Sequence, residues 1–306
     1  MPATREPGVM DNPYYGWSPL PSRPPLRWPD GARVAFCVIV SLERTEWLPP
    51  ADAHLPPSAV RFGPYPDVLD VHEISTHEYG NRVGVFRVMD VLERHGLRAT
   101  AAVDAAFARN YPFIVERARD RGWDFIGHGV SFSRAISSEM SEDTEREYIR
   151  ESLEAVRDTT GSEPRGWLGP DYIESARTVR LLAEAGVEYV CDWPNDEQPY
   201  RMTVPEGTMI SLPVTLDLDE VFTHRERGVS MPRWLRLVTE AFDGLYEDGA
   251  ESGRLIVMNV HPYLIGQPFR IGYLDAALVH ILRRQGVWSA TAGEIVDWYV
   301  QASVGQ

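Results

Sequence analysis

The segment from Gly253 to Leu264, Gly-Arg-Leu-Ile-Val-Met-Asn-Val-His-Pro-Tyr-Leu, constrains the fold more than any other. From Leu255 to Val260 every residue is apolar except Asn259, the pattern of a strand buried on both faces. The run stops at His261-Pro262, because proline lacks the N–H that a central strand must donate. A buried strand therefore carries an imidazole to its C-terminal tip and ends there.

Other strands in the chain end in the same manner. Arg33 to Ser41 is the first buried strand, with Glu43 just past it. From residue 82 a regular alternation sets in. A helix over about 83–95 closes at Gly96, and a strand over 99–103 ends on Asp104. A helix over about 111–121 is capped by Gly122, and the strand after it reaches His128. Ser141, with Glu142 and Asp143 at the positive end of the dipole, starts a helix to about 160.

A short strand at 166–168 then leads to Gly169-Pro170-Asp171, a helix covers 174–185, and a strand over 187–191 ends before Asp192. A strand over 209–214 precedes the acid-rich Asp217-Leu218-Asp219-Glu220. Ser230 opens an amphipathic helix with Trp234, Val238, Ala241 and Leu245 on one face. After the His261 strand come a helix over about 271–285, a strand over 287–290 and a last helix from Gly293. Strands separated mainly by helices predict parallel pairing with right-handed crossovers.

The expected fold class is therefore α/β, a distorted (β/α) barrel of seven or eight strands. A chain of 306 residues is the right length for one such barrel. No Gly-rich phosphate loop follows the first strand, which weighs against an open dinucleotide-binding sheet. Residues 31–306 are expected to form a single catalytic domain. Residues 1–30, rich in proline and aromatic residues, form an extended arm packed on the domain or on a neighbouring subunit. Residues 45–80 carry no clear period and read as a long excursion over one face.

Net charge is −15 with no basic run, which excludes nucleic acid and anionic membranes as partners. No apolar run approaches the roughly 18–20 residues of a membrane span. The polar, proline-rich start lacks the apolar core of a secretory signal, and the expected location is cytoplasmic. Cys37 and Cys191 sit beside apolar strand residues and are expected as buried free thiols.

In a parallel barrel the strand tips share the face where active sites form. The polar residues there are Glu43, Asp104, His128, Asp171, Asp192, Asp217 and His261, with helix capping an equal explanation for Asp104 and Asp171. Carboxylates and imidazoles converging in one bowl are the parts of hydrolytic acid–base catalysis. Glu43, His128 and His261 are the candidate catalytic residues. Trp167, Asp192, Trp193, Asp196 and Asp217 are the candidate substrate contacts.

Five pieces in this order resemble the polysaccharide deacetylase superfamily over about Trp28 to Trp298: Val40-Ser-Leu-Glu-Arg, Gly127-His-Gly-Val-Ser-Phe-Ser, Pro164-Arg-Gly-Trp-Leu-Gly-Pro, Tyr189-Val-Cys-Asp-Trp and Val260-His-Pro. In metal-dependent members the first piece supplies a carboxylate base and then a metal-ligating aspartate. Two histidine ligands follow in the second piece and a base-holding arginine in the third. Here Glu43 matches the base, but Arg44, Phe132 and Leu168 stand at the other positions beside His128. The chain is more similar to a branch that includes metal-independent allantoinases and cyclic-imide hydrolases.

That resemblance implies a metal-independent hydrolase of a non-peptide C–N bond, with Glu43 as base and no cofactor. It also implies a small-molecule substrate and assembly as a homodimer or homotetramer. The first alternative is a zinc-dependent N-deacetylase of an acetylated sugar, with ligands from His72, His77 or the Asp217–Glu220 acids. The second is a non-catalytic ligand-binding barrel.

Overall fold

A computed structural model describes residues 11–51, 53–56 and 70–304. The strands are β1 Val34–Leu42, β2 Thr100–Val103, β3 Asp124–Gly127, β4 Gly166–Trp167, β5 Tyr189–Val190, β6 Tyr200–Met202, β7 Met209–Ser211, β8 Arg254–Val260 and β9 Val287–Ser289. They form one sheet in the order β6-β7-β5-β4-β3-β2-β1-β8, with β9 also on β1. All pairings are parallel except β6 on β7.

The sheet curls into an open, distorted half-barrel, the α/β class expected from the alternation of strands and helices. Its two ends, β6 and β8, do not pair. Backbone bonds from single residues bridge the seam instead. Leu255 N–H donates to the Glu197 carbonyl at 2.8 Å, and Thr215 N–H to the Val257 carbonyl at 2.9 Å. The antiparallel β6 is the one strand that the pattern of alternation does not show. Its short stretch at Tyr200–Met202 has an exposed middle residue and so no buried run to read.

The helices are α1 Val71–Tyr79, α2 Val85–Arg94, α3 Ala105–Asn110, α4 Pro112–Arg119, α5 Glu142–Thr160, α6 Thr178–Glu184, α7 Met231–Asp248, α8 Pro262–Ile265, α9 Ile271–Leu282 and α10 Ala292–Val304. α1 lies in the segment that the sequence presents as aperiodic. Asp70 caps it by accepting from Glu73 N–H at 2.9 Å. Its inward face is polar, with Glu73 and His77 buried beside Ile74, so no apolar stripe announces it. Among the described residues no helix is long and apolar enough to cross a membrane.

The main core lies between the sheet and the outer helices, where α7 lays Trp234, Val238 and Phe242 against it, all fully buried. Cys37 and Cys191 are buried and unpaired. The described part of the N-terminal segment lies on its own barrel. Tyr14 and Tyr15 pack on Trp193, Arg23 pairs with Asp196, and Trp28 donates its indole N–H to the Arg254 carbonyl at 2.8 Å.

A close crossing fixes the chain beyond His261. The π-type turn Gly80–Gly84 joins α1 to α2 and lies against α8. A Cβ on Gly84 would lie 2.1 Å from the Pro262 carbonyl oxygen, so only glycine fits. Overpacking typically costs on the order of 1–3 kcal/mol. Gly84→Ala is therefore expected to lower the urea midpoint by at least that equivalent, with an unchanged slope, read by equilibrium unfolding.

Candidate active site

β1 and β8 lie side by side, pairing Val34 with Arg254 through Val40 with Val260. Their tips therefore emerge together, and Glu43 and His261 line one cavity with His128 from the end of β3. The other lining residues are Phe132, Leu168, Gly169, Asp171, Tyr172, Asp219, Val221, Phe222 and Asn259. The space enclosed is about 10 Å³, roughly enough for one water.

His128 makes the first functional contact. Its Nδ1–H donates to the Leu168 carbonyl, and Nε2 lies 3.0 Å from Glu43 Oε1. A carbonyl cannot donate, so Nδ1 carries a proton and orients the ring. One further proton then lies between Nε2 and Glu43. Burial by itself would raise the Glu43 carboxyl. The His128 hydrogen bond and the charges of His261, His128 and His77 outweigh this and hold it below the usual 4.5. Glu43 is thus held as a carboxylate.

The backbone around Glu43 is tied on both flanks. Asn81 Nδ2 donates to the Glu43 carbonyl at 3.0 Å, and Arg44 N–H donates to Asp104 at 2.7 Å. Asp104 also caps α3 through Phe107 N–H, the capping role open to it from sequence. Arg44 does not line the cavity, whereas Phe132 does.

His261 faces acids that come from the connection between β7 and α7. Its Nδ1 lies 3.5 Å from Glu220 Oε2 and 3.8 Å from Asp219 Oδ1. Burial lowers this imidazole, but the charges of Asp219 and Glu220 outweigh it and push it up to about 10. Behind it, Ser41 Oγ donates to Asn259 Oδ1 at 2.9 Å, which turns the Asn259 amide N–H toward Tyr172 and Asp219.

This cluster corrects the expectation that no cofactor is bound. Asp219, Glu220 and His261 each offer a ligand atom within 4.8 Å of the others, and all three residues are buried. Three protein ligands are what a catalytic zinc site uses, and a carboxylate–imidazole set suits zinc or a similar divalent ion. The donors present therefore fit a cation. The expectation failed because it was tied to the motif positions Arg44 and Phe132. The acids come from a different connection, placed against His261 by the tertiary fold.

The five candidate substrate contacts lie elsewhere. Trp167 is fully buried against Gly127. Asp192 accepts from Gly169 N–H at 2.7 Å, behind the cavity wall. Burial pushes it and the neighbouring Glu174 carboxyl upward. Trp193 donates to Glu174 and packs on the N-terminal segment. Asp196 holds Arg23, and Asp217 is exposed and pairs with Arg227. The cavity-lining residues that sequence reasoning missed include Tyr172, Val221, Phe222 and Asn259. Asn259, the one polar residue inside an apolar strand, was the available signal.

Residues 74–190 match the family model described as polysaccharide deacetylase. A Schizosaccharomyces pombe protein described as a polysaccharide deacetylase is 26% identical over 295 residues, covering 88% of this chain and 91% of that protein. Among solved structures, a chain described as a polysaccharide deacetylase from Pseudomonas aeruginosa PAO1 superposes with a TM-score of 0.80 at 26% identity, over 89% of this chain and 93% of that one. Puue allantoinase superposes with a TM-score of 0.81 at 25% identity, over 95% and 96% of the two chains. In fold and over most of its length the chain is thus similar to proteins described as polysaccharide deacetylases and to an allantoinase.

Proposed function

We propose that this chain, a hydrolase of the polysaccharide deacetylase type, cleaves the amide C–N bond of a small acylated molecule with a divalent cation held by Asp219, Glu220 and His261. An N-acetylated sugar is the first substrate class, and ureides and cyclic imides the second. The carrying observation is one enclosed cavity walled by both the Glu43–His128 pair and the Asp219–His261 cluster. This replaces the metal-independent mechanism expected from sequence.

A bound cation supplies Lewis-acid polarisation of the reacting carbonyl. Glu43, ionised and buried, accepts a proton from water as the water oxygen bonds to the carbonyl carbon. That proton then passes from Glu43 to the departing nitrogen, the C–N bond breaks, the amine leaves neutral, and Glu43 returns to the carboxylate. Phe132, Leu168, Val221 and Phe222 keep bulk water out, which strengthens each polar contact inside. The cavity as it stands holds about one water, so a substrate's acyl group enters only if the lining opens.

The test is a panel of N-acetyl sugars, allantoin, hydantoins, imides and formamides, assayed before and after exhaustive chelation. Activity is expected to be lost on chelation and restored by zinc or another divalent ion. Full activity in protein shown by elemental analysis to be metal-free would sink the cation reading. Binding without turnover of any compound would favour the non-catalytic barrel.

Two further outcomes bear on Glu43. Glu43→Gln is expected to lower kcat by about 10²–10⁴-fold with little change in folding, since a general base contributes in that range. The working form is the carboxylate, whose pKa is lowered. Activity of the loaded enzyme is therefore present above pH 4.5 and lost as pH falls below it. An acid limb in kcat/KM at pH 6–7 would assign that limb to another group.

A further inference from the structure

We propose that Tyr172, oriented by Asn259, is the positioning residue that fixes the Asp219 carboxylate for the cation. The inference rests on the reading of Asp219, Glu220 and His261 as a cation site. It assigns a role to a side chain that no motif singled out.

Hydrogen-bond directions carry the argument. Asn259 Nδ2 lies 3.0 Å from the Tyr172 hydroxyl oxygen and, as an amide nitrogen, can only donate to it. The Tyr172 proton is thereby directed to Asp219 Oδ2, 2.7 Å away. Asn259 Nδ2 also donates to the same oxygen at 3.1 Å. Asp219 Oδ1 accepts from Val221 N–H at 2.8 Å and faces His261 Nδ1 at 3.8 Å. Neutral donors thus hold the carboxylate from one side and leave its lone pairs toward His261 and Glu220 available. With its oxygen accepting from Asn259 and its proton given to Asp219, the Tyr172 hydroxyl serves as a donor to the carboxylate.

The backbone supplies a second, independent observation. Asp171 and Tyr172 both have φ of 59°, consecutive non-glycine residues in the left-handed region. Such strain persists only where the surroundings over-determine it, and it gathers at functional sites. Here the surroundings are the bonds to Asp219 and Asn259 and the Phe222 ring, 5.6 Å from the Tyr172 ring. A purely structural tyrosine could pack the same ring without this backbone or this hydroxyl. Partners of this kind behind a metal ligand typically alter affinity by about 10–100-fold.

The decisive measurement is zinc affinity of the full chain at fixed pH, by competition with a chromophoric chelator, in wild type and Tyr172→Phe. The variant keeps the ring and removes only the hydroxyl. Zinc binding about 10–100-fold weaker, with metal-free thermal melting nearly unchanged, is the expected result. Equal zinc affinity in folded Tyr172→Phe overturns the role of Tyr172 while leaving the cation site intact. Failure of wild type to bind zinc, cobalt or manganese overturns the cation reading, and this inference with it. Should Tyr172→Phe not fold in plain buffer, the same comparison is made with both proteins in a stabilising osmolyte. Weaker zinc binding in that variant supports the proposal and unchanged binding overturns it.

Discussion

The parallel pairing of β1 with β8 is the contact on which the rest of the site depends. It runs unbroken from Val34–Arg254 to Val40–Val260, and every residue of both strands is buried. Because side chains alternate between faces, a slip of one residue would turn Ser41 and Asn259 away from each other. Asn259 could then no longer reach Tyr172 and Asp219, and His261 would leave the neighbourhood of Glu43. Burial on both faces penalises such a slip at each position. The same apolar packing that stabilises the sheet therefore sets the spacing of the polar groups at its tips.

Burying such groups costs several kcal/mol for each that is ionised unless it is paired. The site meets this with distinct pairings. Glu43 is matched by His128, whose ring is held by the Leu168 carbonyl. Asp219 and Glu220 are matched by His261, whose backbone N–H also binds Glu220. In the second grouping the acids outnumber the imidazole, a charge imbalance that a divalent cation would redress. Neutral donors from Asn259, Tyr172 and Val221 satisfy Asp219 without changing that balance.

Enclosure follows from the segments that cross the strand tips. The π-type turn Val221–Glu226 places Val221 and Phe222 over the cavity, and Arg225 ties the turn to Glu73 and Tyr263. Glu73 also holds His77, which stacks on Tyr263 at 4.0 Å and packs on Phe132 at 4.8 Å. α1, which has no apolar stripe, is thus bound in by the polar contacts that close the site. π-type turns are rare and gather at functional positions, consistent with a cap whose backbone bonds are less favourable than those of an α-helix.

The sequence by itself determined the alternation of strands and helices, the class of fold, and the arrival of Glu43, His128 and His261 at strand tips. These are local facts, because a buried strand is written as a continuous apolar run and its end as a proline, glycine or charge. It did not determine that the sheet stays open, that Tyr200–Met202 adds an antiparallel edge, or that α1 exists, since those pieces carry no period. Nor did it choose among the acids of Asp217-Leu218-Asp219-Glu220. A short 3₁₀ turn at Leu216–Leu218 leaves Asp217 in solvent and carries Asp219 and Glu220 inward to His261. Trp167, Asp192, Trp193 and Asp196 stand near strand ends in sequence, yet fold behind the wall or onto the N-terminal segment. Only the tertiary structure could decide these points. A ligand set is made by contacts between residues some forty apart in the chain, such as Asp219 with His261, and no local pattern encodes which neighbours such contacts join.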